Sequence, residues 1–214
     1  DPRTFSKIPG YFDVIVVDAP CSGSGLFRKD ERALEEWSEA NVQLCSQRQQ
    51  RILADVWPAL KEDGILIYAT CSYSPQEDEE ILDWLCTEFD VESMRLDVPE
   101  SFGVLSVNSS KQKANGYRFF PDKVKGEGFF IAALRKKENT ETVRQAKFKS
   151  TNDKKVAQQA GYLLSPDDLV YIHTDNEQVS AMNPLHELDW QLLQQPSCFL
   201  TAESLNWQDD PFQG

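Results

Sequence analysis

A chain of 214 residues with 40% hydrophobic and 11% aromatic content can hold one large packed domain, or one domain and part of another. No apolar run reaches the ~18 residues of a membrane span. No signal-peptide pattern opens the chain, and five irregularly spaced cysteines read as free thiols of a cytoplasmic protein rather than a disulfide framework. A net charge of -13, with 17 Lys+Arg against 23 Asp+Glu in residues 1–137 and 5 against 12 beyond, speaks against a broadly basic nucleic-acid surface. It leaves basic spots at Arg28-Lys29 and between Arg144 and Lys155.

Residues 1–11 contain Pro2, Pro9 and Gly10 and read as a loop feeding a strand at Phe12–Asp18. Ser22-Gly-Ser-Gly25 is a turn. From Asp30 to Lys61 the apolar residues Leu34, Trp37, Leu44, Ile52, Leu53, Val56 and Trp57 recur at helical steps, with a break near Asn41. Gly64 reads as the helix stop, and a second strand, Ile65–Thr70, follows at once. Pro75 and the acidic residues Glu77 to Glu80 mark the start of a helix that continues through Ile81, Leu82, Leu85 and Phe89.

Strand, helix, strand, helix implies a parallel sheet with right-handed crossovers. A polar stretch at 108–115 then leads to two aromatic-rich strands, Gly116–Phe120 and Gly128–Leu134. Their short connection makes them antiparallel. The first domain is therefore expected over 1–137 and a polar linker over 138–156. The start of a small α+β second domain is expected over 157–214.

Two cysteines carry the chemistry. Cys21 and Cys71 each follow a strand, so in one parallel sheet both thiols emerge at its carboxyl edge, where open α/β sheets bind ligands. Cys71, in Thr70-Cys-Ser-Tyr73, is either a nucleophile with a pKa lowered by the following helix or a small buried apolar residue. Cys21 follows Pro20, whose fixed φ sets the backbone just before the thiol, and precedes glycines that let the chain turn around a ligand. Asp18, at the strand end, is either a ligand for a cofactor amine or base nitrogen, or a turn-forming carboxylate. Cys45, Cys86 and Cys198 read as structural. His173 and His186 lack partners at metal spacing, so no metal is expected. Glu127 reads as a solvated turn carboxylate.

Asp18-Ala-Pro-Cys-Ser-Gly-Ser-Gly25, followed about fifty residues later by Ala69-Thr-Cys-Ser-Tyr73, resembles the RNA cytosine-5 methyltransferase family. The likeness is greatest to the bacterial enzymes that modify 16S ribosomal RNA and carry a carboxyl-terminal extension. Leu26 to Asp30, Trp37, the Gln47 to Leu53 helix, Arg118 to Pro121 and Gly126 to Ala132 agree with it, over Phe12 to Arg135 in all. The resemblance implies the carboxyl-terminal half of a Rossmann-like, S-adenosyl-L-methionine (AdoMet)-dependent fold whose sheet ends in an antiparallel hairpin. It implies Cys71 as the nucleophile on C6 of cytosine, Cys21 in product release, and Asp18 beside both base and cofactor, with Pro20 in the cofactor loop. Arg28 and Lys29 fit RNA phosphates, or equally a solvated basic pair.

The chain departs from that family's pattern in one respect. About three further strands and a glycine-rich cofactor turn should precede Asp13, and neither is present. The 214-residue chain is therefore expected not to bind AdoMet tightly or methylate RNA alone. Two competing readings remain: a DNA cytosine-5 methyltransferase, which would use Cys21 as nucleophile and need no Cys71, and a non-catalytic RNA-binding or assembly module.

Overall fold

The computed structural model describes residues 1–140 and the backbone of two short strands, 170–173 and 179–182. The linker and second domain expected beyond residue 140 lie largely outside the described residues. So do Cys198, His186 and the side chain of His173. In order, the elements are β1 (Phe12–Asp18), α1 (Glu31–Glu36), α2 (Glu39–Val56), β2 (Leu60–Thr70), α3 (Glu79–Glu88), β3 (Val91–Ser93), β4 (Leu105–Asn108), β5 (Asn115–Phe119) and β6 (Phe129–Lys136). Farther on, β7 (Val170–His173) and β8 (Val179–Met182) form a separate antiparallel pair.

The main sheet has the order β1-β2-β6-β5-β4, with β3 also on β6. β1 and β2 run parallel, pairing Val14 with Ile65 and Asp18 with Ala69. Every other pairing in the sheet is antiparallel, including the expected β5–β6 hairpin. This is a Rossmann-like α/β sheet in which a parallel half passes into an antiparallel one.

Alternation along the strands decides which face is covered. Val17, Leu66, Tyr68, Phe130, Ala132 and Leu134 point to the helical side. There they pack with Leu53 and Val56 of α2, with Ile81, Leu82 and Leu85 of α3, and with Trp57. Leu53, Tyr68, Ile81, Leu82, Leu85, Phe130 and Leu134 are completely buried. At about 1.5–3 kcal/mol for each large apolar side chain, this layer dominates the stability of the sheet. On the other face Val14 and Val16 stay 49% and 65% exposed. Among the described residues, the outer edge of β1 has no partner strand.

Several boundaries differ from expectation. The helical stretch breaks at Trp37-Ser38 rather than near Asn41. Trp37 is extended there, and the Ser38 hydroxyl caps α2 by accepting from the Asn41 N–H at 3.1 Å. α2 ends at Val56, ahead of Pro58, which cannot continue a helix. Gly64 therefore stops no helix. It lies inside β2, beside the positive φ of Asp63 (59°), where the pairing slips between Phe12 and Val14. Pro2–Lys7 is a 3-10 turn, and Pro75–Glu77 forms another that precedes α3. β3 and β4 went unforeseen because they are short and polar.

Candidate active site at the carboxyl ends of β1 and β2

Because β1 and β2 are adjacent and parallel, the segments leaving their carboxyl ends emerge side by side. The ladder runs one residue past β1, with the Ala19 N–H donating to the Ala69 carbonyl at 2.9 Å. The Pro20 carbonyl then accepts from Gln49 Nε2 of α2 at 3.0 Å. These ties bring the two thiols together: Cys21 Sγ and Cys71 Sγ are 3.1 Å apart and partly buried.

Three segments meet behind the thiols. The Gly25 N–H donates to the Cys71 carbonyl at 2.9 Å, and the Gly128 N–H donates to the Gly25 carbonyl at 2.9 Å. A Cβ on Gly25 would lie 2.4 Å from the Gly128 oxygen and 2.7 Å from the Cys71 oxygen, so only glycine fits. Below them lies the completely buried Glu77. It accepts from the Ser22 N–H at 2.7 Å, from the Ser22 hydroxyl at 2.6 Å and from the Ser72 hydroxyl at 2.6 Å. Next to it, Asp78 accepts from the Thr70 hydroxyl at 2.6 Å. Burial pushes Asp78 up to about 8, against the opposing pull of Thr70 and Arg118. Its second oxygen is 3.0 Å from the Arg118 guanidinium but receives no aligned hydrogen bond, so this contact is chiefly Coulombic.

The thiol pair is electrically unequal. A hydrogen bond from Cys21 lowers Cys71 to about 7, against burial and the negative charges of Asp18 and Glu77. The same bond, and then burial, push Cys21 far up. The pair thus reads as a Cys21 thiol donating to a Cys71 thiolate. The sequence left open a helix dipole as the cause of a lowered Cys71 pKa, beside the alternative of a small buried apolar residue. α3 begins only at Glu79, and the neighbouring thiol takes the place of a helix dipole.

Asp18 lies exposed at the end of β1, and Pro20 is half-buried. As a test of fit for AdoMet, the exposed Asp18 carboxylate suits an ammonium or hydroxyl partner. The Pro20 carbonyl is already engaged by Gln49, leaving its ring as an apolar contact. Arg28 donates to the Gly126 carbonyl at 3.0 Å and to Glu127 at 2.9 Å while its side chain stays 62% exposed. Glu127 is therefore an ion-pair partner rather than a free turn carboxylate. Lys29 is exposed. Cys45 and Cys86 sit half-buried in α2 and α3. An open cleft of about 690 Å³ adjoins the thiol loops and is lined in part by Phe27, Trp37, Tyr73 and Pro75. Sequence reasoning missed Glu77, Ser22, Ser72 and Gln49. Glu77 stood in an acidic run that reads as a helix start, and nothing local separates it from Glu79 and Glu80.

The profile of the 16S rRNA methyltransferase RsmB/F family matches residues 1–135. The chain belongs to that family. A ribosomal RNA small subunit methyltransferase F of Psychromonas ingrahamii is 40% identical over 139 residues, which is 64% of this chain and 28% of that protein. The enzyme of the same name from Escherichia coli O9:H4 is 33% identical over 153 residues, covering 71% of this chain and 32% of its own length. The chain thus spans about a third or less of these RsmB/F relatives. Among solved structures, NSun6 from Pyrococcus horikoshii, crystallised with the AdoMet analogue SFG, matches 65% of this chain and 34% of its own. It does so with a TM-score of 0.51 and 26% identity. PH0851 matches 60% of this chain and 27% of its own, with a TM-score of 0.52 and 26% identity.

Proposed function

We propose that this chain carries the catalytic thiols of an AdoMet-dependent enzyme that methylates C5 of a cytosine in small-subunit ribosomal RNA, through a covalent bond between Cys71 and C6. The 3.1 Å thiol pair at the carboxyl ends of two parallel strands is the observation that carries this reading.

C5 of cytosine is a weak nucleophile until a thiolate adds to C6. Cys71 is the thiol of the pair held toward its anion, so it attacks. The C5–C6 π pair shifts through C4 to N3, which takes a proton from solvent and returns it when C5 takes the methyl group. Asp18 stabilises that N–H. AdoMet supplies an electrophilic methyl group for C5. Release then requires loss of the C5 proton and departure of Cys71 from C6 with the C6–S electron pair. Cys21 suits the first part. Its high pKa comes chiefly from the neighbouring Cys71. Once that sulfur is bonded to carbon, Cys21 gives its own proton to solvent and, as a thiolate, takes the C5 proton, whose electron pair re-forms the C5–C6 double bond as Cys71 leaves. The aromatic cleft beside the thiol loops suits bases stacked next to the flipped cytosine, and the exposed Arg28 and Lys29 suit phosphates.

The test uses the natural gene product with AdoMet and a small-subunit rRNA transcript containing 5-azacytidine. Wild type and Cys21→Ala are expected to form a denaturation-resistant RNA adduct, and Cys71→Ala to form none. Loss of the adduct in Cys21→Ala alone would reverse the two roles and favour the DNA-enzyme pattern.

A further inference from the structure

We propose that Glu77 is the positioning residue of this site: its carboxylate clamps the segment after Cys21 to the segment after Cys71 and so sets the approach of the two thiols. The proposal deepens the reading of Cys71 as the attacking thiol and rests on it.

Ser22 directly follows Cys21, and Ser72 directly follows Cys71. One carboxylate holds both, with Oε1 on the Ser22 N–H and Oε2 shared by the Ser22 and Ser72 hydroxyls, at 2.6–2.7 Å. Such charge-assisted bonds are about twice as strong as neutral ones. The other ties between these segments are neutral. The Tyr73 N–H donates to the Ser24 hydroxyl at 2.8 Å, the Gly25 N–H donates to the Cys71 carbonyl at 2.9 Å, and the Ser24 and Ser72 hydroxyls lie 3.3 Å apart. Ser72 passes the constraint on, since its hydroxyl accepts from the Ser74 N–H at 3.0 Å.

The clamp is itself anchored. The Tyr68 hydroxyl donates to the Glu77 carbonyl at 2.5 Å, and the Ser46 hydroxyl to that of Gln76 at 2.9 Å. Burying a carboxylate is costly unless donors surround it. An apolar residue would fill the same space without that cost. What an apolar residue could not do is fix two loops to within a few tenths of an ångström, which a 3.1 Å contact between thiols requires.

The sign of one measurement separates a clamp from a nearby charge. Removing the Glu77 charge by itself makes the Cys71 thiolate easier to form, whereas misplacing Cys21 removes its donor and makes it harder. The pH dependence of iodoacetamide alkylation of Cys71, mapped by mass spectrometry on the 214-residue chain, reports which occurs. Glu77→Ala is expected to move the midpoint up by about one unit, a roughly tenfold change in the proton affinity of the thiolate. Glu77→Gln keeps an acceptor for the Ser22 N–H and offers an amide to two hydroxyls that can accept, so its midpoint stays or falls. A Glu77→Ala midpoint that stays or falls overturns the proposal. Should Glu77→Ala fail to fold, Ser72→Ala cuts one arm and keeps the charge. It is expected to raise the midpoint, and an unchanged value overturns the clamp. Neither RNA nor AdoMet enters this assay, so absence of the 5-azacytidine adduct in wild type would strike the catalytic reading alone.

Discussion

Two sulfur atoms 3.1 Å apart share one proton's worth of chemistry, and the partition between them decides which can attack. With Cys71 lowered to about 7, roughly half of it is thiolate at neutral pH. Its alkylation rate should therefore rise with pH and level off above about 8, while Cys21, pushed far up, stays slow. Cys21→Ala removes the donor, and the Cys71 midpoint should climb toward the ordinary ~8.5 of a free thiol. The rate at pH 7 then falls less than the thiolate fraction does, because a more basic thiolate is intrinsically more nucleophilic; about three- to fourfold is expected. Asp18→Asn works the other way. Its negative charge opposes the thiolate, so its removal should lower the midpoint. Stopped alkylation at a series of pH values, with mass-spectrometric mapping, checks both signs.

At the level of elements, the site is a junction of three backbone segments that admits no side chain at its centre. Gly25→Ala places a Cβ against two carbonyl oxygens that belong to the β2 exit and the start of β6. It should cost about 1–3 kcal/mol, as overpacking does, and abolish adduct formation. For Gly128→Ala the nearest atoms are the outer ring atoms of the half-buried Tyr73, a side chain rather than backbone, so thermal unfolding should show a smaller loss. The positions of both strands and both thiols were legible in the chain, because β-forming runs ending at Asp18 and Thr70 are short-range signals. Gly64 misled for a physical reason: a glycine after a helical stretch marks a helix end or a bulge equally well, and Pro58 had already ended α2. Glu77 was illegible because its partners, Ser22 and Ser72, come from two loops that only the parallel pairing brings together. The cause of the Cys71 shift was hidden in the same way, in a contact across 50 residues of chain.

For the whole molecule, the two faces of the sheet are unequally finished. The helical face is closed, and Arg118 of β5 ties the antiparallel half to the start of α3. It contacts Glu79 through two nitrogens and Asp78 through its charge. The other face leaves Val14 and Val16 exposed beside an edge of β1 that has no partner strand among the described residues, next to Asp18. A cofactor of AdoMet's size needs walls that bury most of its surface. On the proposed reading the described residues supply one of them, with an exposed Asp18 carboxylate, the ring of Pro20 and no glycine-rich turn. Hydrogen bonds to a solvated carboxylate add little net free energy, so this wall alone cannot offset the entropy of binding. Calorimetric titration of AdoMet into the 214-residue chain should accordingly show no saturable heat at micromolar concentrations, even though the thiol pair, which is built from β1, β2 and Glu77, keeps its alkylation profile. Micromolar affinity would overturn the one-walled site.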